Sequence, residues 1–161
     1  MEKLAGLRAA LTAALPDLAT DPDRLKIFAD TGRLVSRRSK SLGYEWRYTA
    51  RLFVESFTGS ADAIMVPLLL WLREQQPDLL LRFATEEESI QFAADILDDS
   101  SADIAIQFAL SEAVTLRARP DGSGWDVTHL PEPSPDDQLL DPSLAGVPLR
   151  GIWLGDRLIV P

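Results

Sequence analysis

The chain has no cysteine and a single histidine, His129. The first absence excludes disulfides, thiolate metal sites and cysteine nucleophiles, and it fits a reducing cytosol. The second excludes a multi-histidine zinc site within one chain. Long apolar runs are missing too. The longest, Ala63 to Leu72, is ten residues and contains Pro67, whereas a membrane span needs about 20. The chain therefore reads as soluble, with no membrane partner. The N-terminal MEKLAGLRAALTAALPDL has spaced, not contiguous, apolar residues and does not read as a secretory signal. No G-x-x-x-x-G-K, G-x-G-x-x-G, G-x-S-x-G or H-E-x-x-H occurs. Nothing in the sequence calls for a cofactor, a metal or a catalytic residue.

What is present is enough for a core. Apolar residues make up 46% of 161, which fits one folded domain with room for an arm. The net charge of −9 is unevenly spread. Residues 24–51 hold eight Lys/Arg against two acids, a net of +6, so the remainder is −15. Such polarity suits nucleic-acid contact, or head-to-tail packing of a basic surface on an acidic one. It also suits a merely solvated basic hairpin.

Leu4, Leu7, Leu11, Leu15 and Leu18 recur at three and four residues, which predicts a helix from about Lys3 to Leu15. Pro16 is its expected stop. Its polar face is thin and rich in alanine, so it is expected to cover a sheet, with its other side open to a second subunit. Thr20 to Asp23 is turn chemistry. Leu25 to Ala29 reads as a short strand, Asp30-Thr31-Gly32 as a hairpin connection, and Arg33 to Ser36 as the return strand.

The densest pattern lies between Ser41 and Asp78. Tyr44, Trp46, Tyr48, Ala50, Leu52 and Val54 share one face of a predicted strand that runs to Phe57. Glu45, Arg47, Thr49, Arg51, Phe53 and Glu55 share the other, and Phe57 is expected with them. About 45 Å is long for one strand, so its Tyr44–Tyr48 end is expected in an oligomer contact. Phe57-Thr58-Gly59-Ser60 is a tight corner. Ser60 is the expected N-cap of a helix from Ala61 to Gln75. That helix is apolar all round, so it should be buried on both sides. Pro67 should kink it or mark a second start. Phe57, Gly59, Pro67 and Trp71 are the residues expected to organise the core.

Ile90, Phe92, Ala94 and Ile96 alternate over a predicted strand from Ser89 to Leu97. Ile104, Ile106, Phe108 and Leu110 do so over Ala102 to Arg119, where Glu112 predicts a bulge or break near Ser111. Asp121 to Gly124 turns the chain into a strand from Trp125 to Leu130. Composition then changes. Residues 131–149 are rich in proline and acids and read as a linker or extended arm. Gly155-Asp156 predicts a terminal β-hairpin within 150–161, which must dock on its own domain (1–130) or on another subunit. The fold class is therefore α+β: an antiparallel sheet packed by two helices, with a C-terminal extended arm ending in a small hairpin.

Three weak constellations remain. His129 with Asp126 could be half a triad, but triads are defined by geometry, not adjacency. Asp95, Asp98, Asp99 and Asp103 cluster without EF-hand spacing, and a solvated turn explains them better. Arg37, Arg38, Lys40, Arg47 and Arg51 could meet phosphates while Tyr44, Trp46 and Tyr48 stack on bases. The aromatic face, however, looks like a core, so nucleic-acid contact is not the favoured reading.

Ser41-Leu42, Tyr44-Glu45, Arg47-Tyr48-Thr49, Phe57-Thr58-Gly59, Val66-Pro67, Trp71-Leu72-Arg73 and Gln76-Pro77-Asp78 resemble the tail completion protein R family of contractile-tailed phages, prophages and tailocins. The likeness is most specific over residues 24–80 and continues more loosely to Val114. Gly43 and Trp46 depart from the family's pattern. The resemblance implies a structural virion protein, assembled in the bacterial host cytoplasm and located in the tail, with no catalytic residues. By analogy with tail terminators it implies a homo-oligomeric ring, expected to be six-fold, that caps tail tube or sheath and prepares it for head-joining proteins. A neck or connector component is the nearest alternative, and a DNA-binding accessory protein the alternative from another class. The residues expected at a subunit or tail interface are Arg37, Arg38, Tyr44, Trp46, Arg47, Tyr48, Arg51 and Trp153.

Overall fold

A computed structural model describes residues 1–36, 42–81, 90–132 and 151–160. Helix α1 (Glu2–Ala14) ends where Pro16 cannot continue the ladder, and Pro16 then opens a short helix α2 (Pro16–Thr20) from its first position. A single 3₁₀ turn (Pro22–Arg24) follows. The strands are β1 (Leu25–Val35), β2 (Gly43–Phe57), β3 (Gln91–Ile96), β4 (Ala102–Ala118) and β5 (Trp125–His129). Between β2 and β3 lie α3 (Asp62–Gln75) and a short α4 (Pro77–Leu81). A terminal hairpin, β6 (Ile152–Leu154) and β7 (Arg157–Val160), closes the described chain. The architecture is α+β. An antiparallel sheet runs in the order β1-β2-β4-β3, with β5 also paired to β4.

One face of this sheet carries the core. Tyr48, Ala50, Leu52 and Val54 of β2 meet Ile104, Ile106, Phe108 and Leu110 of β4 under Leu7 and Leu11 of α1 and Ile64, Leu68 and Leu72 of α3. Period-two alternation on the strands and 3.6-residue spacing on the helices converge on this layer. The terminal hairpin docks on its own chain, because Ile152 is buried in the same cluster and Ile159 packs against it.

Residues 25–36 do not form a hairpin. β1 is one strand, paired with β2 from Leu25↔Val54 to Val35↔Glu45. From Ala29 to Gly32 the chain advances three residues while β2 advances two, so Asp30-Thr31 is a β-bulge. Glycine is there for space, since a Cβ on Gly32 would come within 2.9 Å of Tyr48 Cβ. The connection from β1 to β2 is residues 36–42, of which 37–41 lie outside the described residues.

Two further expectations change at the ends of β2 and β4. β2 has a bulge between Val54 and Phe57, with Ser56 at φ 50. The extra residue turns Phe57 onto the core face, away from the Phe53 side where simple alternation would put it. β4 has no break near Ser111. It pairs residue for residue with β2 from Ile104 to Thr115, and Glu112 points into the core side.

The corner after β2 is tight for a stated reason. A Cβ on Gly59 would meet the Phe57 ring at 2.8 Å, so Gly59→Ala is expected to cost about 1–3 kcal/mol through overpacking. Urea denaturation checks this, and wild-type stability would mean that the ring has room to move. At the helix start, Asp62 N–H donates to Ser60 Oγ at 3.3 Å and Ala63 N–H to Ser60 O at 2.9 Å. Ser60 thus caps from one residue farther out than expected, and Ala61 takes the N-cap position. α3 runs through buried Pro67 with no second start. It is buried on one side only: Ala63, Ile64, Pro67, Leu68 and Leu72 face inward, Trp71 is half-buried, and Leu69 and Leu70 remain exposed.

Candidate assembly surface

β2 presents most of the residues expected at an interface, and its alternation divides them. On the core side, Tyr48 is buried and its hydroxyl donates to Glu112. Burial, and then this hydrogen bond, push the Tyr48 phenol well above its ordinary value. Trp46 is half-buried and packs against the core, with Tyr44 edge-on to it at 5.6 Å. These three aromatics form a graded series from inside to rim. On the open side, Arg47 pairs with Glu45 at 2.7 Å and Arg51 with Asp30 at 2.8 Å. The hydrogen bond from Arg47 to Glu45 raises the pKa of this guanidinium further. Lys26 pairs with Glu55 across the β1–β2 ladder. The basic stretch therefore carries much of its own neutralisation. Arg37, Arg38 and Lys40 lie outside the described residues. Trp153, on the terminal hairpin, is exposed.

Glu112 is the centre of a buried polar cluster. Its Oε2 accepts the Glu2 backbone N–H at 2.7 Å, which ties the first turn of α1 to β4. His129 Nδ1 lies 3.3 Å from the same oxygen but is not aligned for a hydrogen bond. Asp126 instead sits 3.7 Å from Arg119, so no His129–Asp126 pair forms.

A second buried polar group completes the sheet. β2 occupies one edge of β4 along its length, so β3 (opposite Ala102–Gln107) and β5 (opposite Val114–Ala118) share the other. Between them β4 has no strand neighbour among the described residues. Gln76, at the end of α3, fills the gap: Ser111 N–H donates to Gln76 Oε1 at 2.9 Å, and Gln76 Nε2 donates to Ser111 Oγ at 3.2 Å. Lys3 Nζ also donates to Gln76 Oε1, at 2.9 Å. Beside this plug opens a cleft of about 570 Å³, lined by Arg33, Glu45, Arg47, Asp78, Leu79 and Leu110 among others.

The acidic cluster is a turn. Asp98 accepts from the backbone N–H groups and hydroxyls of Ser100 and Ser101. Asp103 accepts the Ser56 N–H of the β2 bulge at 2.7 Å. Among the described residues no group of three His, Cys, Asp or Glu side chains is placed to hold a metal ion. The backbone N–H of Ser100 and then the two hydroxyls hold the Asp98 carboxyl down to about 2. A depressed carboxylate contributes above its ordinary value of 3.8 and loses that contribution as pH falls through about 2. The amide resonances of Ser100 and Ser101 are therefore expected to titrate together with a midpoint near 2; a midpoint near 4 would mean that the turn is open.

The surface the alternation did not reveal is apolar. Phe92 and Ile96 of β3 are 70% and 77% exposed, and Trp125 and Val127 of β5 are more than half exposed. All four lie on the helix side of the sheet, since Phe92 pairs with Ile106, Ile96 with Ala102, Val127 with Leu116 and Trp125 with Ala118. The helices do not reach that far. Trp153 and Leu154 add to the exposed set. Strand alternation set Phe92 and Ile96 on one face, but it takes the structure to show that they, with Trp125 and Val127, are exposed there.

Comparison with known proteins decides what kind of molecule exposes such a surface. Residues 1–133 match the model of the P2 phage tail completion protein R (GpR) family. The chain belongs to the tail completion protein R family. It is 42% identical over 142 residues to tail completion protein R of Escherichia phage P2, covering 88% of this chain and 90% of that one. No solved structure matches. The tail completion protein is thus a structural component of a phage tail, in a family of structural proteins and not of enzymes. No helix among its described residues is long and apolar enough to cross a membrane.

Proposed function

We propose that this tail completion protein acts as a tail terminator: a ring of identical copies, six-fold by analogy, that caps the tail tube or sheath and offers a surface for head joining. The observation that carries the reading is the exposure of Phe92, Ile96, Trp125 and Trp153 around a sheet that already has its own core. The Phe92–Ile96 pair on β3 and the Trp125–Val127 pair on β5 are exposed apolar patches outside the core, and such patches support an interaction site. A ring is heterologous packing that closes, and the separation of a basic β1–β2 segment from an acidic remainder suits copies that meet head to tail. The reading would put Tyr44, Trp46, Arg47 and Arg51 of β2, and exposed Trp153 of the terminal hairpin, at this interface. The test is light scattering of the purified protein, alone and with tail tube protein, together with electron microscopy of particles assembled without it. A closed oligomer and tails of unregulated length, without heads, are expected. A strict monomer under all conditions, tube included, overturns the reading.

A further inference from the structure

We propose that copies of this chain join by strand addition, the β3 edge of one copy taking the β1 edge of the next. This inference rests on the ring reading above and names the contact that would build the ring. The first argument is directional. β1 runs against β2, β2 against β4, and β4 against β3. With an even number of alternating strands, the two outer ones point opposite ways. A second copy, placed by rotation about an axis along the strands, therefore brings its β1 beside β3 in the antiparallel sense. The helices stay on one face throughout, and repetition of the same step closes a ring.

Both edges are available. β1 and β3 end the strand order, and among the described residues no further strand pairs with either. Native edge strands are usually blunted by lysine, proline or a bulge. β3 (QFAADI) has neither lysine nor proline and exposes Phe92 and Ile96. β1 is blunted by its bulge at Asp30-Thr31, by Lys26 and by Arg8, whose Nη1 donates to the Leu25 carbonyl at 2.8 Å and would yield it to an incoming strand. That leaves Leu25–Ala29 as a straight segment of five residues opposite a six-residue β3. The levels agree, because Lys26, Phe53, Ala105 and Ala93 lie in one row across the sheet, and Leu25, Val54, Ile104 and Ala94 in the next. Continuing the rows sets Leu25 and Ile27 of one copy near Phe92 and Ala94 of another, on the helix side. There Phe92 and Ile96 would leave solvent beside the neighbour's α1 and α2.

Charge supports the same partner. Residues 90–103 hold four aspartates and no cation, while Arg24, which is held by backbone carbonyls, and Lys26, which is shared with Glu55, stand at the start of β1. Opposite charges across an edge fix its register and disfavour pairing of β3 with itself.

Absence of cysteine makes the test clean. Lys26→Cys and Ala93→Cys are placed singly and together in the full chain, at two exposed positions of the open face. Each variant is treated with a short bismaleimide, and its oligomeric state is followed by light scattering. The double variant is expected to give a covalent ladder extending beyond the dimer, with neither single variant forming appreciable dimer. Dimers from Ala93→Cys alone would mean that β3 pairs with itself, which overturns the proposal. An intact oligomer with no ladder overturns it as well and leaves the ring reading standing. Monomers throughout, tube protein included, remove the ring reading and this contact together.

Discussion

Replacing Glu112 by alanine is expected to destabilise the protein by about 3–5 kcal/mol, measured by urea denaturation. The carboxyl group is almost wholly buried and holds two donors from distant parts of the chain, the Tyr48 hydroxyl and the Glu2 backbone N–H. Alanine leaves both without a partner and opens a void, and each orphaned buried donor costs about 1–3 kcal/mol. Glu112→Gln keeps the shape and one acceptor oxygen, so its cost should fall to about 1–2 kcal/mol. Tyr48→Phe removes one donor and should cost a similar amount. The double variant Tyr48→Phe/Glu112→Gln should cost less than the sum, because the two groups share one bond. The pH dependence has a definite sign. A phenol whose folded pKa is raised contributes fully below its unfolded value of about 10 and loses that contribution as pH rises toward the folded value. The wild type should therefore lose more stability above pH 10 than Tyr48→Phe does. A Glu112→Ala loss under about 1 kcal/mol would mean that water reaches the cluster and replaces the carboxyl.

That cluster also marks the limit of what the chain declares about itself. Glu112 looks like an interruption in the Ile104–Val114 face because its partners are 64 and 110 residues away in sequence. Period and propensity are local, and a buried carboxyl is explained only by tertiary neighbours. Gln76 is a similar case: after Leu72 it reads as a return to water, yet it plugs the gap between β3 and β5. Asp30-Thr31-Gly32 misleads differently. Glycine serves a turn by its positive φ and a bulge by its lack of Cβ, and the letters are the same for both. By contrast β2 was legible almost residue by residue, because six inward side chains at period two leave no competing pattern. The two long helices were legible from their apolar spacing, while Pro16 and Pro77, read as stops, also open the short α2 and α4; the family was legible from the motifs around Tyr44–Asp78. The exposed strands were half legible. Phe92 and Ile96 were correctly set on one face, but whether a helix covers that face depends on how far α3 reaches, which no local signal encodes.

The same contrast of covered and uncovered surface gives the second large effect. Leu68 and Leu69 are adjacent on α3, and the helix turns one inward and the other out: Leu68 is fully buried and Leu69 is 42% exposed. Leu68→Ala is expected to cost about 3–4 kcal/mol, the sum of lost transfer energy and the cavity left among Leu7, Leu52 and their neighbours. For a chain of this size that is a fall in Tm of roughly 10 °C. Leu69→Ala should cost about 1 kcal/mol or less, since much of that side chain is already in water. Calorimetry at low and high protein concentration separates two meanings of the result. If Leu69 faces only solvent, its small cost is independent of concentration. If a neighbouring copy covers it in the assembled ring, the cost grows as the oligomer forms, because stability is then linked to association. The cost at Leu68 should not change, since its contacts lie within one chain. Equal costs at the two positions in dilute monomer would mean that α3 is rotated about its axis from the orientation described, and with it the division between the surface this protein keeps for its own fold and the surface it offers to others.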